Sequence, residues 1–196
     1  MLEHLPQAAA PGLIAECLRV LKPGGILRVV VPDLETIARF YLRECEAAAT
    51  GDREAARRHE WMTIELLDQL VREKSGGEML HYWRQNPMPA EPFVIERVGG
   101  EVRDILGLLR SGAEIAKPPP RNEREVARFR ASGEVHKWMY DRVSLRALLA
   151  GAGFSEIRVC TASESRIPHF ASFHLDTDEA GLVRKPDSLF MEAAKP

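Results

Sequence analysis

Hydrophobic positions along this chain change period several times, and each change marks an element. Residues 11–22 place Leu13, Ile14, Cys17, Leu18 and Leu21 on one helical face, with Glu16, Arg19 and Lys22 off it. Pro11 fits the first turn, where a missing N–H costs nothing. Pro23-Gly24-Gly25 ends the helix. Pro23 presets the first corner of a type II turn, and Gly24 can take the positive φ that the second corner needs. Residues 26–31 follow as a nearly unbroken apolar run. That is the pattern of a strand covered on both faces, which predicts a parallel-type α/β sheet. Pro32 closes the strand.

From Asp33, which can act as an N-cap, Leu34, Ile37, Phe40, Tyr41, Cys45 and Ala48 return to helical spacing. Gly51-Asp52 breaks this helix, and residues 53–74 resume with Trp61, Ile64, Leu67, Leu70 and Val71. Gly76-Gly77 and residues 86–92 predict irregular chain, residues 101–110 a further helix, and Pro118-Pro119-Pro120 a stiff spacer. Asp141 or Ser144 then caps a helix carrying Leu145, Leu148 and Leu149, with Gly151 suited to its C-terminal cap. Residues 156–162 alternate as a strand, and residues 188–195 are a second strand candidate. The connection of about 25 residues between them is long for a hairpin and marks a stretch to search for function.

Composition adds mostly exclusions. The chain has 196 residues, 45% hydrophobic and 29% charged, as in an ordinary globular protein of one domain, or of one domain with a large insertion. A net charge of −2 gives no electrostatic case for nucleic acid or an anionic membrane. The basic clusters at 53–58 and 121–130 are interleaved with acids, the pattern of a solvated helix face. No run approaches a membrane span, and no basic segment followed by an apolar core suggests a signal peptide. Three isolated cysteines, Cys17, Cys45 and Cys160, suit a reducing, cytoplasmic setting.

Two motifs, in order, carry a family resemblance. Leu2-Glu3-His4 precedes the first helix, which runs through Arg19-Val-Leu-Lys-Pro-Gly-Gly25 into the apolar strand. The later helix ends in Ala152-Gly153-Phe154 before the alternating strand. This resembles the late half of a class I S-adenosylmethionine-dependent methyltransferase. There a fourth strand leads into a Leu-Glu-His loop, and a fifth strand follows Lys-Pro-Gly-Gly. The implied fold is α/β, an incomplete Rossmann-like sheet holding the late strands only, with a large, mostly helical insertion. Residues 1–32 plus 133–196 would form the sheet domain and residues 33–132 the insertion or lid. In that family the fifth strand lies between the fourth and the seventh, and the chain ends in an antiparallel strand pair.

The departure from the family matters as much. Its cofactor is held by a glycine-rich turn after the first strand and a ribose-binding carboxylate after the second. Neither occurs here. The only Gly-x-Gly, Gly151-Ala-Gly153, follows a helix and reads as its cap. The resemblance carries over only Leu2 and Glu3 as cofactor-binding residues, so most of an S-adenosylmethionine site is missing. The protein therefore looks truncated, and the isolated chain is expected to bind the cofactor poorly or not at all.

For chemistry, the resemblance puts Glu3 and His4 at the carboxyl end of a strand, where His4 could position a substrate or accept its proton. His136 and Tyr140, spaced i, i+4, would share a helical face with Trp138 turned away. They form either a substrate wall, with Trp138 stacking and His136 or Tyr140 handling a proton, or an aromatic packing anchor followed by a cap at Asp141. Glu164 and Arg166 could bind a polar substrate or form a surface ion pair. His169, His174 and Asp176 match no strong metal motif, so no metal is expected, and no nucleophile signature supports hydrolysis.

Two functions remain open. One is a methyltransferase acting on a small-molecule or glycan acceptor when complete; the other is a non-catalytic interaction module derived from that fold. Either way, strand 26–31 would expose an unpaired edge with Arg28 as its only charged guard, favouring a homodimer or a partner chain.

Overall fold

The computed structural model describes all 196 residues, and their contacts divide the chain into two compact units. One is Met1–Glu35 with Lys137–Pro196, and the other is Thr36–His136. In chain order the elements are α1 (Ala10–Val20), β1 (Ile26–Pro32), α2 (Leu34–Ala49), α3 (Arg53–Val71), α4 (Gly77–Trp83), α5 (Glu91–Val98), α6 (Gly100–Arg110), α7 (Glu123–Ala131), α8 (Arg142–Gly151), β2 (Ser155–Cys160) and β3 (Ser188–Ala194). Short 3₁₀ turns lie at Leu2–His4, Gln7–Ala9 and Phe170–Phe173. No helix is long and apolar enough to cross a membrane.

The first unit is α/β, built on a three-stranded sheet of order β1-β3-β2. Both ladders are antiparallel, so the parallel neighbour expected for β1 is not there. β1 is an edge strand, bonded to β3 on one side. Its run is apolar save for Arg28 because both faces of the sheet are covered, not because it sits inside a parallel sheet. On one face Val31, Leu189, Met191 and Ala193 pack with Ile14 of α1 and Leu145 and Leu149 of α8. The opposite face is covered by the long connection between β2 and β3. Phe170 from that connection lies against Arg28, whose charged group sits 4.5 Å from the ring centre.

Local chemistry explains the boundaries. The Gly25 N–H donates to the Lys22 carbonyl at 2.9 Å, with Gly24 at φ +74°, the geometry of a type II corner. Asp141 accepts from the N–H groups of Val143 and Ser144, and the Ser144 hydroxyl answers the Asp141 N–H, completing a capping box. Gly151 remains inside α8. Positive φ falls two residues later, at Gly153 (+98°), because the Phe154 N–H still reaches back to the Leu149 carbonyl.

The second unit is helical. Its core joins Trp61 and Met62 of α3, Tyr82 of α4, Val94 of α5 and Val102 of α6. The Trp61 ring lies 5.4 Å from Tyr82 and 5.9 Å from Trp83, stacked on the latter. Of the two stretches expected to be irregular, residues 86–90 are so, while helices begin at Gly77 and Glu91. Gly76 (φ +76°) sets the entry to α4, where the Asp68 carboxylate accepts from the Glu78 N–H at 2.7 Å. Pro92 occupies the first turn of α5, the one helical position that tolerates proline. Glycine and proline here mark where helices start. Helix α7, capped by Asn122, buries no residue and matches the interleaved-charge reading of 121–130. Arg58, from the other such cluster, instead turns onto the buried Glu44 at 2.7 Å.

Candidate functional site

The strongest electrostatic feature was not visible as a motif. Register places Arg28 of β1 and Arg158 of β2 on either side of Glu192 of β3. Glu192 is fully buried. Its carboxylate accepts from Arg28 at 3.0 Å, Arg158 at 3.2 Å, the Ser165 hydroxyl at 2.5 Å and the Arg166 N–H at 3.0 Å. Burial alone would raise its pKa, but these donors outweigh it and hold the carboxyl at about 2.

Arg28 is the hub. Its side chain is 5% exposed, donates to Asp176 at 2.7 Å, and reaches the backbone carbonyls of Thr161 and Glu164, each at 2.9 Å. It therefore ties the β2–β3 connection to the sheet and cannot guard the β1 edge, because the guanidinium is enclosed by its acceptors. Sequence gave one available signal, an arginine inside an apolar strand, which is costly unless paired. Its partner could not be read without the register.

Arg166 and Glu164 belong to this structure. Arg166 donates to the Glu156 side chain at 2.7 Å and to the Glu156 carbonyl at 3.0 Å. The Glu164 carboxylate accepts from the N–H and hydroxyl of Thr161 at 3.1 and 3.0 Å, closing a local turn. Both side chains are occupied holding the loop. Asp176 is taken by Arg28, while the His174 ring faces the Asp178 carbonyl at 3.3 Å.

A second cluster gathers other predicted residues. The Glu3 carbonyl accepts from the N–H groups of Lys137 at 2.6 Å and Trp138 at 3.2 Å. Tyr140 bridges Asp33, the residue after β1, and its carbonyl accepts from the Leu34 N–H at 3.0 Å. Backbone bonds to other segments thus hold residues 137–140 extended, which overturns the shared helical face expected for His136 and Tyr140. Leu2 and the Tyr140 ring are buried in the core with Leu145 and Leu149. The Glu3 carboxylate lies 3.6 Å from His4 Nε2. The Tyr140 hydroxyl is buried with no hydrogen-bond partner. Burial, and secondarily the charge of Glu3, raise its pKa, so it stays a protonated donor.

Trp138 is partly exposed, at 39%. His136 ends the helical unit, where it is buried and its N–H donates to the Gln69 carbonyl at 2.8 Å. In the sheet unit, then, Glu3, His4, Trp138 and Tyr140 come together beside the carboxyl end of β1, and Glu164 and Arg166 serve the opposite face. A carboxylate beside an imidazole, with a buried phenol at hand, can bind a hydroxyl or amine and accept its proton. No family model, curated protein or solved structure matches this chain.

Proposed function

We propose that this chain forms the acceptor side of a class I methyltransferase fold, and that the whole enzyme methylates a small-molecule or glycan acceptor. The observation that carries the reading is strand order. The last strand, β3, is inserted antiparallel between β1 and β2. The resemblance likewise places its seventh strand beside the fifth and antiparallel to the strand before it. The Leu2–Glu3–His4 turn beside the carboxyl end of β1 supports the same alignment, since open α/β sheets bind ligands at that end.

The residues present do not fit S-adenosylmethionine itself. Gly24 and Gly153, with positive φ, precede strands instead of leading from a strand into a helix. Asp33, at the end of β1, is spent on the Glu35 N–H at 3.1 Å. What this chain offers is acceptor handling. Glu3 orients His4, His4 takes the acceptor's proton, and the Tyr140 hydroxyl donates to the acceptor oxygen.

The DNA immediately upstream of the Met1 codon tests this. We expect an in-frame apolar strand followed by Gly-x-Gly, and calorimetric binding of S-adenosylmethionine by the polypeptide that includes it. A stop codon directly upstream, or an extended polypeptide giving no heat of binding, overturns the reading. The open side of β1 also favours a second reading, an interaction module whose edge pairs with a second copy or a partner strand. A concentration-dependent dimer in analytical ultracentrifugation, weakened by Val30→Lys, is expected there. A monodisperse monomer with protected amides along β1 counts against it.

A further inference from the structure

Within the helical unit, residues of α3, α4 and α6 line a cavity of ≈ 410 Å³, inside the range of about 300–1,000 Å³ for small-molecule sites. Its walls combine three chemistries. Met79, Leu80, Ile105 and Leu108 are apolar, Arg72 and Trp83 are donors, and Glu101 and Glu134 are carboxylates.

The donors are incompletely used. Arg72 is nine-tenths buried and its outer nitrogen is paired with Asp68, which neutralises it, while its Nε has no hydrogen-bond partner. Trp83 is 6% exposed, its ring is fixed by stacking on Trp61, and its indole Nε1 also lacks a partner. Leaving such a group unsatisfied costs about 1–3 kcal/mol, and both residues that carry one line this cavity. On the acidic side Glu134 accepts one bond, from the Gly76 N–H at 3.2 Å, and a carboxylate can take about four.

We propose that this cavity binds a small zwitterion with an apolar body, of the α-amino acid class. A simple anion would satisfy Arg72 and Trp83 but face Glu101 and Glu134. A simple cation would suit the carboxylates and leave the two donors unmet. A carboxylate and an ammonium on one compact centre meet both, and the apolar side chain lies against Met79, Leu80, Ile105 and Leu108. The site lies wholly in the helical unit and does not rest on the methyltransferase reading.

Calorimetry with L-phenylalanine, L-leucine, phenylacetate and phenethylamine on the full chain tests the assignment. The expected result is saturable binding of at least one amino acid, weakened about tenfold or more when either charge is missing. Trp83→Phe keeps an aromatic ring, though a smaller one, and deletes the donor, and should weaken amino-acid binding about five- to tenfold. Trp83 also borders a neighbouring cleft with Met88 and Leu109, so Leu109→Lys serves as a control expected to leave binding unchanged. Should Trp83→Phe fail to fold by circular dichroism, Glu134→Gln decides, with an expected selective loss of the ammonium-bearing ligands. Absence of saturable amino-acid binding, equal binding of all four probes, sensitivity to Leu109→Lys, or folded variants that bind as the parent does would each overturn the proposal.

Discussion

The two units bury charge in opposite ways. In the sheet unit one carboxylate, Glu192, takes four donors from two strands and a loop, and Arg28 gathers that loop around it. In the helical unit Glu44, Glu65 and Asp68 are each buried with an arginine of their own: Arg58, Arg97 and Arg72. A sheet brings charges from distant sequence into one row. Packed helices give each carboxylate nearby arginines instead, one for Glu65 and for Asp68 and two for Glu44, where Arg43 joins Arg58. The first arrangement concentrates risk in one residue, and the second divides it.

Arg28→Met should therefore have the largest effect. It leaves Asp176 without its arginine, takes one of four donors from the buried Glu192 and releases several loop carbonyls, a loss of about 3–5 kcal/mol for a broken buried pair. Hydrogen exchange of the β3 amides reads this unit alone and should show the loss there. The matching change in the helical unit, Arg58→Met, touches a partly exposed arginine and leaves Arg43 on Glu44. Its cost should be nearer 1 kcal/mol. Equal effects would break the contrast between concentrated and divided charge.

Acid sharpens the same contrast. The folded carboxyl of Glu192 sits at about 2, below its ordinary value of 4.5. Its stabilising contribution is complete above the ordinary value and disappears as pH falls from 4.5 through 2. The shift corresponds to about 3 kcal/mol. Glu44 moves the same way: burial opposes it, and Arg58 and Arg43 outweigh burial. Both units lose stability in acid, the sheet unit more steeply. Urea titrations across this range, with β3 exchange as the local probe, would expose a pH-independent sheet unit if the network contributes nothing.

Gly77 tests how tightly the helical unit is closed. It has φ +53°, and an added Cβ would collide with the Asp68 carboxylate. Gly77→Ala should cost roughly 2 kcal/mol from backbone strain and the displaced acid. It should also loosen Arg72, whose partner is Asp68. A neutral result by urea denaturation would mean the α3–α4 junction adjusts freely.

Legibility in the sequence followed locality. The helix at 11–22, the Gly24 corner and the Asp141 cap depend on neighbours within a few residues, and the structure has them with small shifts at the ends. The Gly76-Gly77 and 86–92 stretches misled only at their edges, because glycine and proline were read as breakers when Gly76 and Pro92 sit where helices begin. Residues 136–140 misled because helical spacing ignored their backbone partners, which come from Gln69, Glu3 and Leu34. The Arg28–Glu192 pair is 164 residues apart, and only the strand register joins them. Glu3, His4 and Tyr140 came into view through the resemblance and through unusual composition, while the Arg72–Trp83 wall requires three helices to be placed first.

The smallest contrast lies at two helix starts. Asp52 caps α3 by accepting from the Glu54 and Ala55 N–H groups at 2.9 and 3.0 Å. Asp141 caps α8 in the same way, and there the Ser144 hydroxyl adds the reciprocal bond to the Asp141 N–H at 3.0 Å. Asp52→Ala and Asp141→Ala should each cost about 1 kcal/mol, the usual worth of such a cap. Asp141→Ala should cost a few tenths more, because it also removes the acceptor that orients Ser144. Adding Ser144→Ala to Asp141→Ala should then cost less than Ser144→Ala alone, since the two side chains act as one unit. Additive losses by urea denaturation would show that α8 is capped by two independent bonds, and the two units would then start these helices by the same device.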